Sequence, residues 1–99
     1  MIVSSVRARI VKDTPAALEW SHGIAAFVKR KTGNEVQVLV RIGATQDVVW
    51  LQRFPDLAAY GKAFEAIQSD GEYHAQVKTA QDRGYFDGLT VEAGIWHQA

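Results

Sequence analysis

The chain has 99 residues, with Lys+Arg and Asp+Glu both at 11 and a formal net charge of zero, so one domain over residues 1–99 is expected and a basic, phosphate-binding surface is not. Cysteine is absent, which excludes disulfides, thiolate metal sites and thiol nucleophiles. A domain this small buries only ~60–65% of its unfolded surface, so pairing with another copy is a natural way to bury more.

Residues 2–11 read as a strand, with Val6, Ala8 and Ile10 alternating against Ser5, Arg7 and Arg9. Asp13-Thr14-Pro15 signals a helix start, with Thr14 as N-cap and Pro15 at the first helical position. The helix is expected to run to about Thr32. Trp20, Ile24, Phe27 and Val28 form its apolar stripe, and Lys29, Arg30 and Lys31 complement the dipole at its end. Gly33 is placed to close it.

Glu35 to Ile42 is the next strand, with Val36, Val38, Val40 and Ile42 on one face. Gly43-Ala44-Thr45-Gln46 forms a short turn into a strand from Asp47 to Phe54, making an antiparallel hairpin. Pro55-Asp56 opens a second helix through Leu57, Tyr60, Phe64 and Ile67. Ser69-Asp70-Gly71 interrupts it, and a shorter helix continues through Tyr73, Val77 and Ala80 to Gly84. A last strand runs from about Phe86 to Trp96. The order β-α-β-β-α-β is the ferredoxin-like α+β arrangement, a four-stranded antiparallel sheet with its helices on one face.

Those helices cover only one face of the sheet. The aliphatic rows are expected there: Val6, Ala8 and Ile10; Val36, Val38, Val40 and Ile42; Val49 and Leu51; Leu89, Val91, Ala93 and Ile95. The period of two then sends Arg7, Arg9, Gln37, Arg41, Trp50, Gln52, Phe54, Glu92 and Trp96 to the opposite face. That face is too apolar for open water and too charged for a dry core. A second copy laid against it, as a homodimer, satisfies both.

The stretch Val48 to Val77, VVWLQRFPDLAAYGKAFEAIQSDGEYHAQV, resembles a known superfamily, the dimeric α+β barrels. It is similar to the strand, "F-x-(D/S)-L" helix start and "SD" helix break of the antibiotic-biosynthesis monooxygenase and NIPSNAP-like branches. The resemblance covers nearly the whole chain, as pattern more than motif. It implies two ferredoxin-like subunits paired sheet to sheet, and a small-molecule site between sheet and helices or inside the barrel. Haem-degrading members carry an asparagine on the first strand, a tryptophan on the second helix and a histidine after the "SD" break. Here the strand has no asparagine, the helix has Phe64, and His74 comes earlier than that pattern sets it. Haem degradation is set aside, and no cofactor is expected.

Candidate residues follow from type and place. Arg7, Arg9 and Arg41 could form an anion-binding wall, although pairing with Glu92 and with acids of a partner copy is preferred. Glu92 and His74 are the candidate acid–base residues. Trp50 and Trp96 could stack on an aromatic ligand or anchor the dimer interface, and Gln37 and Gln52 could orient a carbonyl or hydroxyl or make cross-strand or cross-dimer hydrogen bonds. His22 reads as surface and His97 as a frayed end. No two histidines have metal-ligand spacing, so no metal is expected. Gly88 and Gly94 read as a bulge or a close backbone approach.

Two function classes remain. One is a binder or enzyme for a small aromatic or acidic molecule, held against Trp50, Gln52, Phe64, Arg7 and Arg41. A cofactor-free, monooxygenase-like enzyme would use His74 or Glu92 as base. The other is a non-catalytic dimeric module. An RNA-binding ferredoxin-like domain is disfavoured, because Trp50 is expected on an edge strand and the net charge is zero. With no run long enough to span a bilayer and no signal-peptide core in MIVSSVRARIVK, the cytoplasm is the expected location.

Overall fold

A computed structural model describes residues 1–43 and 45–99; Ala44, in the expected hairpin turn, lies outside the described residues. The elements are β1 (Ile2–Ile10), α1 (Thr14–Thr32), β2 (Gln37–Val40), β3 (Asp47–Phe54), α2 (Leu57–Gln68), α3 (Gly71–Arg83) and β4 (Phe86–His97). The four strands form one antiparallel sheet in the order β2-β3-β1-β4. This is the ferredoxin-like topology, with the second helix broken in two at Ser69-Asp70.

Local chemistry accounts for the helix boundaries. Asp13, and not Thr14, caps α1: its carboxylate accepts from Ala16 N–H from a left-handed backbone at φ 48°. An aspartate tolerates that conformation because its short polar side chain bonds locally. Thr14 is then free to donate to Gln46 Oε1 at 2.7 Å, tying the helix start to the hairpin. Asp56 caps α2 through Ala59 N–H, and Asp70 caps α3 through Tyr73 N–H. Gly33 and Gly84 close α1 and α3 in left-handed conformations.

β2 is shorter than the alternation suggests. Its ladder spans Gln37 to Val40, and Ile42 is 99% exposed beyond it. β4 has the opposite surprise, a register shift between its pairings with Arg7 and Arg9. Arg7 pairs with Glu92 but Arg9 with Asp87, so β4 carries extra residues around Gly88 and Leu89. The irregularity exchanges the faces on either side of it. Leu89, expected against the helices, is 98% exposed as a result.

The main correction concerns β3. Val38 pairs with Trp50 and Val40 with Val48, while Val6 also pairs with Trp50 and Ile2 with Phe54. Directly opposed residues share a face. Val48, Trp50, Gln52 and Phe54 therefore face the helices, and Val49 and Leu51 face away, the reverse of the expectation. β3 is also a central strand, so Trp50 is not on an edge.

The core under the helices is divided. Ile2, Phe54 and Ala63 pack at one end with Ala59 and Tyr60 against them. Ile10, Ala17 and Val48 pack at the other, flanked by Leu18, Val38, Trp50, Tyr85 and Phe86. Between these two clusters the sheet presents Ser4 and Val6 of β1 and Trp50 and Gln52 of β3.

Candidate functional site

The gap between the two core clusters is a cavity of about 770 Å³, floored by the sheet and roofed by all three helices. That volume is within the ~300–1,000 Å³ range of small-molecule sites. One wall is an aromatic cluster. Trp20, Trp50 and Phe86 meet edge to face with ring centroids 5.6–6.2 Å apart. Each indole is pinned at its polar end: Trp50 Nε1 donates to the Ser21 carbonyl at 3.2 Å, and Trp20 Nε1 to the Gln76 carbonyl at 3.1 Å. The serine lets α1 lie close to the sheet, because its hydroxyl turns back onto the Ala17 carbonyl and the residue is fully buried. The opposite wall is a second aromatic run, Phe54–Tyr60–Phe64.

The cavity opens toward β4. Helices cover the β2–β3–β1 side of the sheet, but Val91 and Ile95 on the β4 side are each 53% exposed. Phe64, across the opening on α2, is 50% exposed. An apolar mouth is thus set between α2 and the edge strand.

The lining is neutral. Among the described residues that line the cavity there is no Asp, Glu, Lys, Arg or His. Its polar side chains are Ser4, Thr32, Gln52, Tyr60, Gln68, Tyr73 and Gln81; Ser5 also borders it, with its hydroxyl turned to the outer face. Burial pushes the Tyr73 phenol up, so it remains a protonated donor at neutral pH. Gln52 is the unusual member: its Nε2 is buried and has no hydrogen-bond partner.

The expected site residues are separated by this geometry. Trp50, Gln52 and Phe64 converge on the cavity. Arg7, Arg41 and Glu92 lie across the sheet from it. His74 lies on α3 outside the lining, with Nε2 2.7 Å from the Gln68 carbonyl. On the outer face Arg7 pairs with Glu92 at 2.9 Å. Arg7, Arg9 and Arg41 also surround Asp47 at 3.9, 3.7 and 3.5 Å. Asp47 is 5% exposed, so the partner of the arginines is chiefly an acid of the same chain. Beside this cluster Trp96 lies over Gly94 and donates to Ser5 Oγ at 2.9 Å. A Cβ on Gly94 would stand 2.9 Å from that indole nitrogen, so the glycine makes room for the ring.

Ser4, Trp20, Tyr73 and Asp47 were not singled out from sequence. Ser4 had a readable signal, a polar residue in the row of Ile2, Val6 and Ala8. No group of three or more His, Asp or Glu side chains among the described residues could hold a metal ion. No described helix is long and apolar enough to cross a membrane.

No protein-family model matches the chain, and no curated protein matches it by sequence. Solved structures do match. Protein Atu4242 from Agrobacterium tumefaciens, a NIPSNAP family protein, has a TM-score of 0.77 and 17% identity over 100% of this chain and 94% of its own. An uncharacterized NIPSNAP domain protein from Burkholderia xenovorans has a TM-score of 0.75 and 17% identity over 100% and 95%. SnoaB, a cofactor-independent oxygenase from Streptomyces nogalater, has a TM-score of 0.73 and 14% identity over 98% and 91%. Identities this low carry the fold and not the activity. The chain has the ferredoxin-like α+β fold of these NIPSNAP and monooxygenase-like neighbours.

Proposed function

We propose that the protein holds a flat organic molecule in the cavity between sheet and helices. The observation that carries this reading is the cavity itself, a void of about 770 Å³ walled by Trp20, Trp50 and Phe86 on one side and Phe54, Tyr60 and Phe64 on the other. Edge-to-face rings held by hydrogen bonds at their far ends form rigid walls, and rigid walls suit a planar guest. The arginines support no part of this reading, since they stand on the other face. If the bound molecule is transformed, its chemistry falls to neutral donors such as Tyr73, which would stabilise charge developing on an oxygen. The cofactor-independent oxygenase among the neighbours is a precedent for chemistry on this fold.

The test is a thermal-shift screen of flat aromatic ketones and phenols against the protein and its Ala93→Trp variant. Ala93 lines the cavity and is exposed, so the added indole fills the void without disturbing the core. Stabilisation of the parent that is lost in the variant supports the reading. Equal shifts in both proteins, or none in either, would sink it.

A second reading concerns the outer face, and a specific observation favours it. Leu39 is 49% and Trp96 60% exposed there, beside Val49, Leu51 and the Asp47 cluster. That surface suits a second copy of the chain, its apolar residues in contact and its charges already paired within each subunit. A homodimer through this face leaves the cavity free, so the two readings are compatible.

A further inference from the structure

We infer that the cavity has a polar end, where the Tyr73 hydroxyl is the positioning group for an acceptor oxygen at one edge of the guest. This inference rests on the cavity being a binding site and adds which end of a planar molecule lies where. The first observation is direction. Tyr73, Val77, Ala80 and Gln81 all line the cavity, and their spacing puts them on one face of α3. Tyr73 is the first of that stripe, so the helix itself turns its ring toward the void. Its backbone N–H donates to the Asp70 carboxylate at 2.9 Å, and His74 Nε2 lies 2.7 Å from the Gln68 carbonyl. Both contacts hold the first turn of α3 against the end of α2.

The second observation is the hydroxyl. It has no hydrogen-bond partner among the described residues, yet, unlike the Gln52 amide nitrogen, it is not sealed from its surroundings. Its polar neighbours differ. Thr32 turns its hydroxyl back onto the Val28 carbonyl at 2.8 Å, and Gln68 is exposed at the rim. The other lining tyrosine, Tyr60, has its ring in the run Phe54–Tyr60–Phe64. Burial raises the Tyr73 pKa, so the phenol is a partly dehydrated donor that gives up less hydration when a guest oxygen arrives.

The third observation is what stands beside it. Trp20 Nε1 donates to the Gln76 carbonyl at 3.1 Å. Gln76 is three residues beyond Tyr73, or ~4.5 Å along the helix. Trp20 in turn meets Trp50 and Phe86 edge to face. A planar guest with its rings along this wall would bring one edge to the phenol. The class that fits is an aromatic ketone with its oxygen toward the α2–α3 break.

The experiment uses methyl naphthyl ketone and ethylnaphthalene, a hydrocarbon of nearly the same outline. Equilibrium dialysis gives their affinities for the parent, Tyr73→Phe and Tyr60→Phe, and infrared difference spectra give the carbonyl stretch of the bound ketone. The parent is expected to bind the ketone about fivefold tighter than the hydrocarbon, as one neutral hydrogen bond implies. Its carbonyl stretch should be lowered by that bond. In Tyr73→Phe the preference and the lowering should both vanish while the hydrocarbon binds as before, and Tyr60→Phe should keep both. A preference that survives in Tyr73→Phe, or is lost in Tyr60→Phe instead, would overturn the role of Tyr73 and leave the cavity reading standing. Hydrocarbon binding that falls in Tyr73→Phe as far as ketone binding does would mark a structural role and overturn it equally. Failure of the parent to bind either probe would overturn the cavity reading itself, and this inference with it.

Discussion

Trp50 of β3 donates its indole N–H to the main-chain carbonyl of Ser21 at 3.2 Å, joining the centre of the sheet to the middle of α1. The bond sets the width of the cavity at one wall, because Trp20, one residue before Ser21, then meets Trp50 edge to face. Trp50→Phe keeps an aromatic side chain but removes the bond and part of the indole, and is expected to cost about 1–2 kcal/mol. Trp50→Ala also removes the wall and should cost about 3 kcal/mol. Urea denaturation of the two variants checks both: a Trp50→Phe variant as stable as the parent would show that the hydrogen bond contributes nothing, and equal losses would show that the wall contributes nothing beyond it.

Gln52 points the other way. Its buried amide end has no partner, so replacing it by an apolar residue of similar shape should leave the empty protein unharmed or more stable. Gln52→Leu is expected to raise stability by up to about 1 kcal/mol. A loss of comparable size in thermal unfolding would mean that the amide has a stabilising partner after all.

Asp47 is expected to anchor the outer face. Its side chain is 7% exposed while those of Arg7, Arg9 and Arg41 are 44–58% exposed. Asp47→Asn leaves three guanidiniums facing one another without the central anion. Solvent screening of the half-exposed arginines keeps the cost near 1–2 kcal/mol, below that of breaking a fully buried pair. Added salt should shrink the difference between parent and variant. A difference that grows with salt would speak against a charge effect.

Asp70 gives a pH dependence with a definite sign. The Tyr73 backbone N–H holds its carboxylate below the ordinary range, outweighing desolvation, and Lys31 at 3.3 Å adds to the effect. A folded-state value below the unfolded one stabilises the fold above the unfolded value, and that stabilisation is lost as pH falls through the folded value. The stability gap between the parent and Asp70→Asn should therefore be widest at neutral pH and close in strong acid. Circular-dichroism melts over that range check it, and a gap that does not narrow on acidification would contradict the assignment.

If the outer faces pair, Leu39→Asp should convert dimer to monomer. The residue is half exposed, so the substitution places a carboxylate in the interface without entering the core. Sedimentation equilibrium reads the outcome. A parent protein that is already monomeric would dismiss the pairing.

Much of the fold was legible in the chain because its signals are local. Asp56 and Asp70 before the second and third helices, Gly33 and Gly84 after the first and third, and the break at Ser69-Asp70 act within a few residues of themselves. Thr14 and Asp13 compete for one cap, and either choice starts the same helix. The alternation of β1 was equally readable, since Ile2, Ala8 and Ile10 are buried where Arg7 and Arg9 are exposed.

The site was less legible, and β3 shows why. Val49 and Leu51 on one face and Val48, Trp50 and Phe54 on the other are both apolar rows, so composition alone does not say which is inside. The hairpin register decides, because Val38 opposite Trp50 forces the two onto one face and a slip of one residue would reverse all of β3. The irregularity in β4 acts likewise, turning Leu89 out while Phe86 and Val91 face the cavity. By itself the sequence determined the elements, their order and the alternation within each strand, which depend on neighbours along the chain. Tertiary structure alone decided which row of β3 lies under the helices, that Asp47 gathers the arginines, and that the Gln52 amide nitrogen is buried without a partner, because each depends on what stands opposite across strands or layers.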